Sequence, residues 1–178
     1  MRDAFRAKGH DAWSCDLLPT EKPGPHFQTN ILELIRQTHW WDLMIAHPPC
    51  TYLSAAQMHY YKNNPSRQRA RDEALKFVLE LMSAPIDKIA IENPVGYLST
   101  GWRKPDQVCY MNHFGHADAR KPTCLWLKNL PKLTDTEILP LRRSNQKRTS
   151  EWYEKTKGRK RSITFTGFAD AMAEQWSS

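Results

Sequence analysis

Trp41-Asp42-Leu43-Met44-Ile45-Ala46-His47-Pro48-Pro49-Cys50-Thr51-Tyr52-Leu53-Ser54 is the stretch that decides the fold. Its apolar run, 41–46, is short and stops at two prolines. Proline lacks the amide hydrogen that would extend a ladder, so the run reads as one compact buried strand opening into a stiffened loop. A second run, Ile89-Ala90-Ile91, ends the same way in Glu92-Asn93-Pro94. A thiol and a carboxylate therefore each stand where a buried strand is expected to open. In an open α/β sheet that rim is where ligands bind.

Helical periodicity surrounds the two runs. Residues 66–83 place Ala70, Ala74, Phe77, Val78 and Leu81 on one face and Arg67, Arg71, Glu73 and Glu80 elsewhere, with Pro85 marking the exit. Residues 27–37, carrying Ile31, Leu32, Leu34 and Ile35, predict a short helix after a loop containing Pro23, Gly24 and Pro25. Residues 2–12 read as an amphipathic helix closed by Gly9. Residues 123–128 predict a strongly apolar strand through Leu125, Trp126 and Leu127. Residues 57–69, with Met58, Tyr60, Tyr61 and Asn63-Asn64-Pro65, predict a mobile loop after the thiol. Strands alternating with helices imply an open, mainly parallel sheet with helices on both faces.

At 178 residues and 40% hydrophobic content, residues 1–178 fit a single domain with its own core. Four cysteines without paired spacing, and no apolar stretch as long as a membrane span, point to a reducing cytoplasm without disulfides or membrane insertion. Cys109, His113, His116 and Cys124 lack the paired spacing of structural zinc, so no metal is expected. A net charge of +7 favours a polyanionic partner. Much of it lies in one segment, where Arg142, Arg143, Lys147, Arg148, Lys157, Arg159, Lys160 and Arg161 flank Trp152 and Tyr153. Cations neutralise phosphates and aromatics stack on unpaired bases, so the segment reads as a DNA contact; the plainer reading is a solvated loop.

Four stretches together resemble the cytosine-5 DNA methyltransferase family. Pro49-Cys50-Thr51-Tyr52-Leu53-Ser54 resembles its nucleophile loop, Pro-Cys-Gln-x-x-Ser, and Glu92-Asn93-Pro94 its Glu-Asn-Val motif. Phe114-Gly115-His116-Ala117-Asp118-Ala119-Arg120-Lys121, followed by Cys124-Leu125-Trp126-Leu127, is similar to its Gly-x-x-Gln-x-Arg-x-Arg segment and the strand after it. Thr166-Gly167-Phe168-Ala169-Asp170-Ala171-Met172-Ala173 loosely resembles its closing helix. The likeness is greatest to the compact members carried by bacteriophages and prophages. Thr51 stands in place of Gln, Ala46-His47 in place of Gly-Gly, and Pro94 in place of Val.

The family opens on a strand and a Phe-x-Gly-x-Gly turn, whereas this sequence opens on the helix that follows them, with 12–16 resembling the second strand. The resemblance thus implies an open Rossmann-like methyltransferase sheet apparently missing its first strand. Either Met1 is an internal start of a longer protein, or this form has lost that strand; an upstream segment or a partner would complete the cofactor site.

The implied activity is transfer of a methyl group from S-adenosylmethionine to cytosine in DNA. Cys50 would add to carbon 6 of the base, and Glu92 would present a proton at ring nitrogen 3. Asn93 would order the loop. Arg120 would bind the base carbonyl or support the nucleophile loop. Asp16, Asn30, Pro48 and Pro49 would hold the cofactor, while Ser54, Lys121 and the basic segment would contact DNA around a flipped base. The short interval 131–162 in place of a target-recognition region implies loose specificity, or recognition completed by a partner. The expected setting is the cytoplasm of a bacterial host. Two other readings stay open: a non-catalytic DNA-binding relative, and a pyrimidine-modifying enzyme with another donor.

Overall fold

A computed structural model describes residues 1–117, 122–141 and 164–177. The described chain is mixed α/β with two open sheets. One is a parallel pair, β1 (Ser14–Asp16) with β2 (His26–Gln28). The other has four strands in the order β3 (Leu43–Ala46), β4 (Lys88–Pro94), β6 (Thr123–Lys128), β5 (Gln107–Cys109).

The expected parallel character holds only in part. β3 runs parallel to β4, but β6 is antiparallel to both β4 and β5. Parallel neighbours need a crossover of about a dozen residues, usually helical. Between β5 and β6 the described stretch instead holds a 3-10 turn at Met111–His113, and the chain returns antiparallel.

Alternation along the central strands explains how both faces are covered, since successive side chains point to opposite sides. On one face Leu43, Ile45, Ala90 and Leu125 meet Phe5 of α1 (Arg2–Ala7) and Phe168 and Met172 of α5 (Thr166–Gln175). On the other, Met44, Ile89, Ile91 and Trp126 meet Ile35 of α2 (Ile31–Gln37) and Val78 and Leu81 of α3 (Pro65–Met82). Ile89, Ala90 and Ile91 are fully buried, and a buried isoleucine side chain contributes about 1.5–3 kcal/mol.

Local chemistry sets the helix ends. Gly9, at φ +89°, follows α1; its amide donates to the Arg6 carbonyl and that of His10 to the Phe5 carbonyl. This paired closure favours a left-handed residue, and glycine adopts that conformation without steric cost. The helix predicted from residue 27 starts later, because His26–Gln28 forms β2 and Asn30 caps α2 by accepting the Leu32 amide. A three-residue strand is too short to show alternation in sequence.

The loop expected at 57–69 is replaced by a 3-10 turn at Ala55–Tyr60 and the first turn of α3. Asn64 caps that helix with Pro65 at its first position, and Tyr61 is buried. A short fourth helix, α4 (Leu98–Gly101), follows β4.

Candidate active site

Cys50 is exposed, and backbone ties on both sides fix its loop against the segment leaving β4. Before it, the Asn93 Nδ2 donates to the Pro48 carbonyl at 2.8 Å. After it, the Leu53 and Ser54 amides both donate to the Cys50 carbonyl at 3.0 Å, closing a tight turn. The Tyr97 amide then donates to the Leu53 carbonyl at 2.6 Å and the Ala55 amide to the Val95 carbonyl at 3.0 Å.

Gly96 allows this close approach, since a Cβ there would lie 2.0 Å from the Leu53 carbonyl oxygen. Asn93 is 1% exposed, and its Oδ1 has no hydrogen-bond partner among the described residues. Nδ2 thus carries the observed link between this side chain and the thiol loop.

Glu92 lies inside β4, because the strand runs on to Pro94 instead of opening at Glu92. Pro94 is tolerated there because β3 has already ended at Ala46, opposite Ile91, leaving no ladder on that side. The same register sets His47 beside Glu92, and its Nδ1 lies 3.0 Å from Glu92 Oε2. The Thr123 hydroxyl, from β6, donates to Glu92 Oε1. The carboxyl is thus partly exposed, with one oxygen held by a hydroxyl and the other by an imidazole. Neither His47 nor Thr123 stood out in the sequence as a partner of Glu92, since each reaches it through sheet pairing.

The remaining cysteines differ from Cys50. Cys109 and Cys124 are buried, and burial pushes the Cys109 thiol up to about 12. Burial also raises the thiols of Cys124 and Cys15, the former with a smaller contribution from Glu92. A buried neutral thiol is a poor nucleophile, so exposure singles out Cys50 among the four.

Asp16, Asn30, Pro48 and Pro49, expected at the cofactor, all line one cleft of about 1000 Å³ between β1 and β3. Asp16 ends β1 and accepts the Leu18 amide at 2.9 Å. The amide oxygen of Asn30, a residue expected to hold the cofactor, accepts the Leu32 amide as a helix cap. Ser54 precedes the 3-10 turn and bridges to Gly96. Tyr52 before it and Met58 and Tyr60 after it are exposed, with the Arg67 guanidinium 5.2 Å from the Tyr60 ring centre.

The expected roles of Arg120, Lys121, Arg142, Arg143, Lys147, Arg148, Lys157, Arg159, Lys160 and Arg161 fall outside the described residues. His113 pairs with Asp135, and His116 accepts the Gly167 amide. Among the described residues no three histidine, cysteine or acidic side chains converge on a metal position, and no helix is long and apolar enough to cross a membrane. No protein-family model, curated protein or solved structure matches this chain.

Proposed function

We propose that this protein is an S-adenosylmethionine-dependent methyltransferase acting on carbon 5 of cytosine in DNA, with a Rossmann-like sheet and Cys50 as its nucleophile. The observation that carries the reading is the joining of two separate loops. An exposed thiol is held, through Asn93 and the Gly96 contact, against the strand that bears a hydrogen-bonded carboxyl.

Carbon 5 of cytosine becomes nucleophilic once a thiolate adds to carbon 6 and the ring loses its aromaticity. Cys50 makes that bond and leaves after methylation, as carbon 5 gives up its proton to water and the carbon 5–carbon 6 double bond re-forms. Charge building on the ring is relieved at nitrogen 3, where Glu92 supplies a proton or a hydrogen bond. Thr123 and His47 orient the carboxyl for this task. S-adenosylmethionine, when bound, supplies an electrophilic methyl group, and the placement of Asp16, Asn30, Pro48 and Pro49 on one cleft fits a ligand of its size. The exposed Tyr52, Met58 and Tyr60, which follow the thiol in the chain, offer apolar surface to an unstacked base.

The test is transfer of labelled methyl from S-adenosylmethionine to mixed-sequence duplex DNA, comparing the chain with Cys50→Ala and Glu92→Gln. Label on cytosine is expected, absent in Cys50→Ala and at least about 100-fold slower in Glu92→Gln, the usual scale of general acid catalysis. Absence of label with salt-sensitive DNA binding intact would replace this reading with that of a non-catalytic binding protein.

A further inference from the structure

His47, Glu92 and Thr123 share one side of the four-stranded sheet. Ile45, Ala90 and Leu125 mark that side, and a residue two places along a strand lies on the same face: His47 after Ile45, Glu92 after Ala90, Thr123 before Leu125. Both partners of the carboxyl can give or take a hydrogen. The Thr123 oxygen lies against Glu92 Oε1 and also 3.2 Å from the Asn93 carbonyl oxygen, yet a hydroxyl has one hydrogen. Facing a carboxylate it donates to Oε1; facing a carboxyl it accepts the acid hydrogen and donates to the Asn93 carbonyl. His47 Nδ1, 3.0 Å from Oε2, donates when it carries a hydrogen and accepts from an Oε2–H when it does not. Neither protonation state of Glu92 leaves a partner unsatisfied.

The imidazole is the more open member of the pair. Its side chain is 34% exposed and lines the cleft, against 22% for Glu92. With Nδ1 turned to the carboxyl, Nε2 is the ring atom left to exchange protons with water. The backbone of His47 is fixed on both sides, by the pairing of Ala46 with Ile91 before it and by the Asn93 bond to the Pro48 carbonyl after it. Besides Cys50 on the loop that follows, the titratable groups that feel Glu92 are Cys124 of β6 and Cys109 of β5; burial raises both, so they stay neutral thiols near pH 7. The family that the sequence resembles has glycine where His47 stands, so the likeness does not supply this imidazole.

We propose, resting on the cytosine reading above, that His47 is the proton donor behind Glu92: a positioning residue that keeps Glu92 a neutral carboxyl while a proton reaches the base. As Cys50 adds to carbon 6 and charge collects at nitrogen 3, the Glu92 Oε1–H bond breaks and an N3–H bond forms. In the same step the His47 Nδ1–H bond breaks and an Oε2–H bond forms. The imidazolium becomes a neutral imidazole that accepts from Oε2, and Thr123 turns to donate to Oε1. The positive charge given up by His47 cancels the negative charge gained by the ring. Nitrogen 3 returns its proton by the same route when Cys50 leaves.

The test follows methyl transfer to mixed-sequence duplex DNA against pH in the unaltered chain, in His47→Gln, which keeps hydrogen-bonding atoms but does not titrate, and in His47→Ala. The unaltered chain should give a bell, rising as the Cys50 thiol ionises and falling about tenfold per pH unit once His47 has lost its proton. His47→Gln should lose the falling limb and run at least about tenfold slower at neutral pH, and free imidazole should restore His47→Ala. A falling limb kept in His47→Gln would overturn the relay and leave orientation alone. A second readout needs no DNA: carbon-13 and nitrogen-15 NMR titrations of the Glu92 carboxyl and the His47 ring. The Glu92 signal should shift in step with the His47 titration, a step absent in His47→Gln. Independent titrations would overturn the proposal whether or not methyl is transferred. Coupled titrations in a chain that leaves no label on cytosine would uphold the proton pair and sink the cytosine reading alone.

Discussion

The two sheets of this protein are held by different means. In the four-stranded sheet β4 is paired on both sides and buried on both faces, with Ile89, Ala90 and Ile91 fully covered. The β1–β2 pair has three residues per strand and borders an open cleft. It depends on a side-chain clamp: the Arg2 guanidinium donates to the carbonyls of Lys22, Pro23 and Pro25 and to the Ser14 hydroxyl. The difference shows where rigidity is invested. Glu92 sits on the doubly paired strand, Cys50 on a loop tied to the segment that leaves it, and the cleft lies where backbone pairing stops.

Thiol alkylation should give the largest contrast. At pH 8 iodoacetamide is expected to modify Cys50 at least 100-fold faster than Cys109, read by peptide mass spectrometry. Burial holds the Cys109 thiol near 12, so its thiolate is only about one part in 10,000 at that pH. Because that value is raised, the Cys109 rate should climb about tenfold per pH unit from 7 to 9 without levelling off. Comparable rates for the two cysteines would remove the distinction between exposed loop and packed sheet.

Gly96→Ala comes next. The added Cβ meets the Leu53 carbonyl oxygen, a backbone atom, so the Cys50 loop must separate from β4. Urea unfolding should show a loss of about 3 kcal/mol, the upper range for overpacking. An unchanged midpoint would mean that the two loops are not tied as described.

Arg2→Met should cost about 2 kcal/mol, in the range for hydrogen bonds made by a charged donor. Its effect should be regional: faster exchange across 14–28, with β4 and β6 unaltered. Uniform loosening of both sheets would show that they unfold as one unit. The smallest change is expected for Lys76→Ala, which removes an exposed pair with Glu80 on α3 and should alter stability by less than about 0.5 kcal/mol. A larger loss would make surface charge a real contributor to the packed half.

Much of the four-stranded half was legible in sequence. The runs at 43–46, 89–91 and 123–128 are apolar and bounded by breakers, and α3 shows its periodicity over many turns. Cys50 and Glu92 stood out as candidates because Glu92 directly follows such a run and Cys50 comes after the two prolines that end another. What escaped detection depended on partners distant in the chain. His47 meets Glu92 through the register of β3 on β4, and Thr123 through that of β6 on β4. Gly96 looks like an ordinary loop glycine until Leu53 is set against it. Arg2 looks like a solvated charge on a short helix until the 22–25 loop folds over it.

The sequence by itself determined an α/β chain, the existence of its longer strands and helices, and two candidate chemical groups next to apolar runs, because periodicity and proline act over a few residues. Only the tertiary structure decided that β6 runs antiparallel, that Glu92 lies within a strand beside His47, and that β1 and β3 border one cleft. Strand order and register arise from contacts between residues tens of positions apart, and no local pattern encodes which edge a strand will choose.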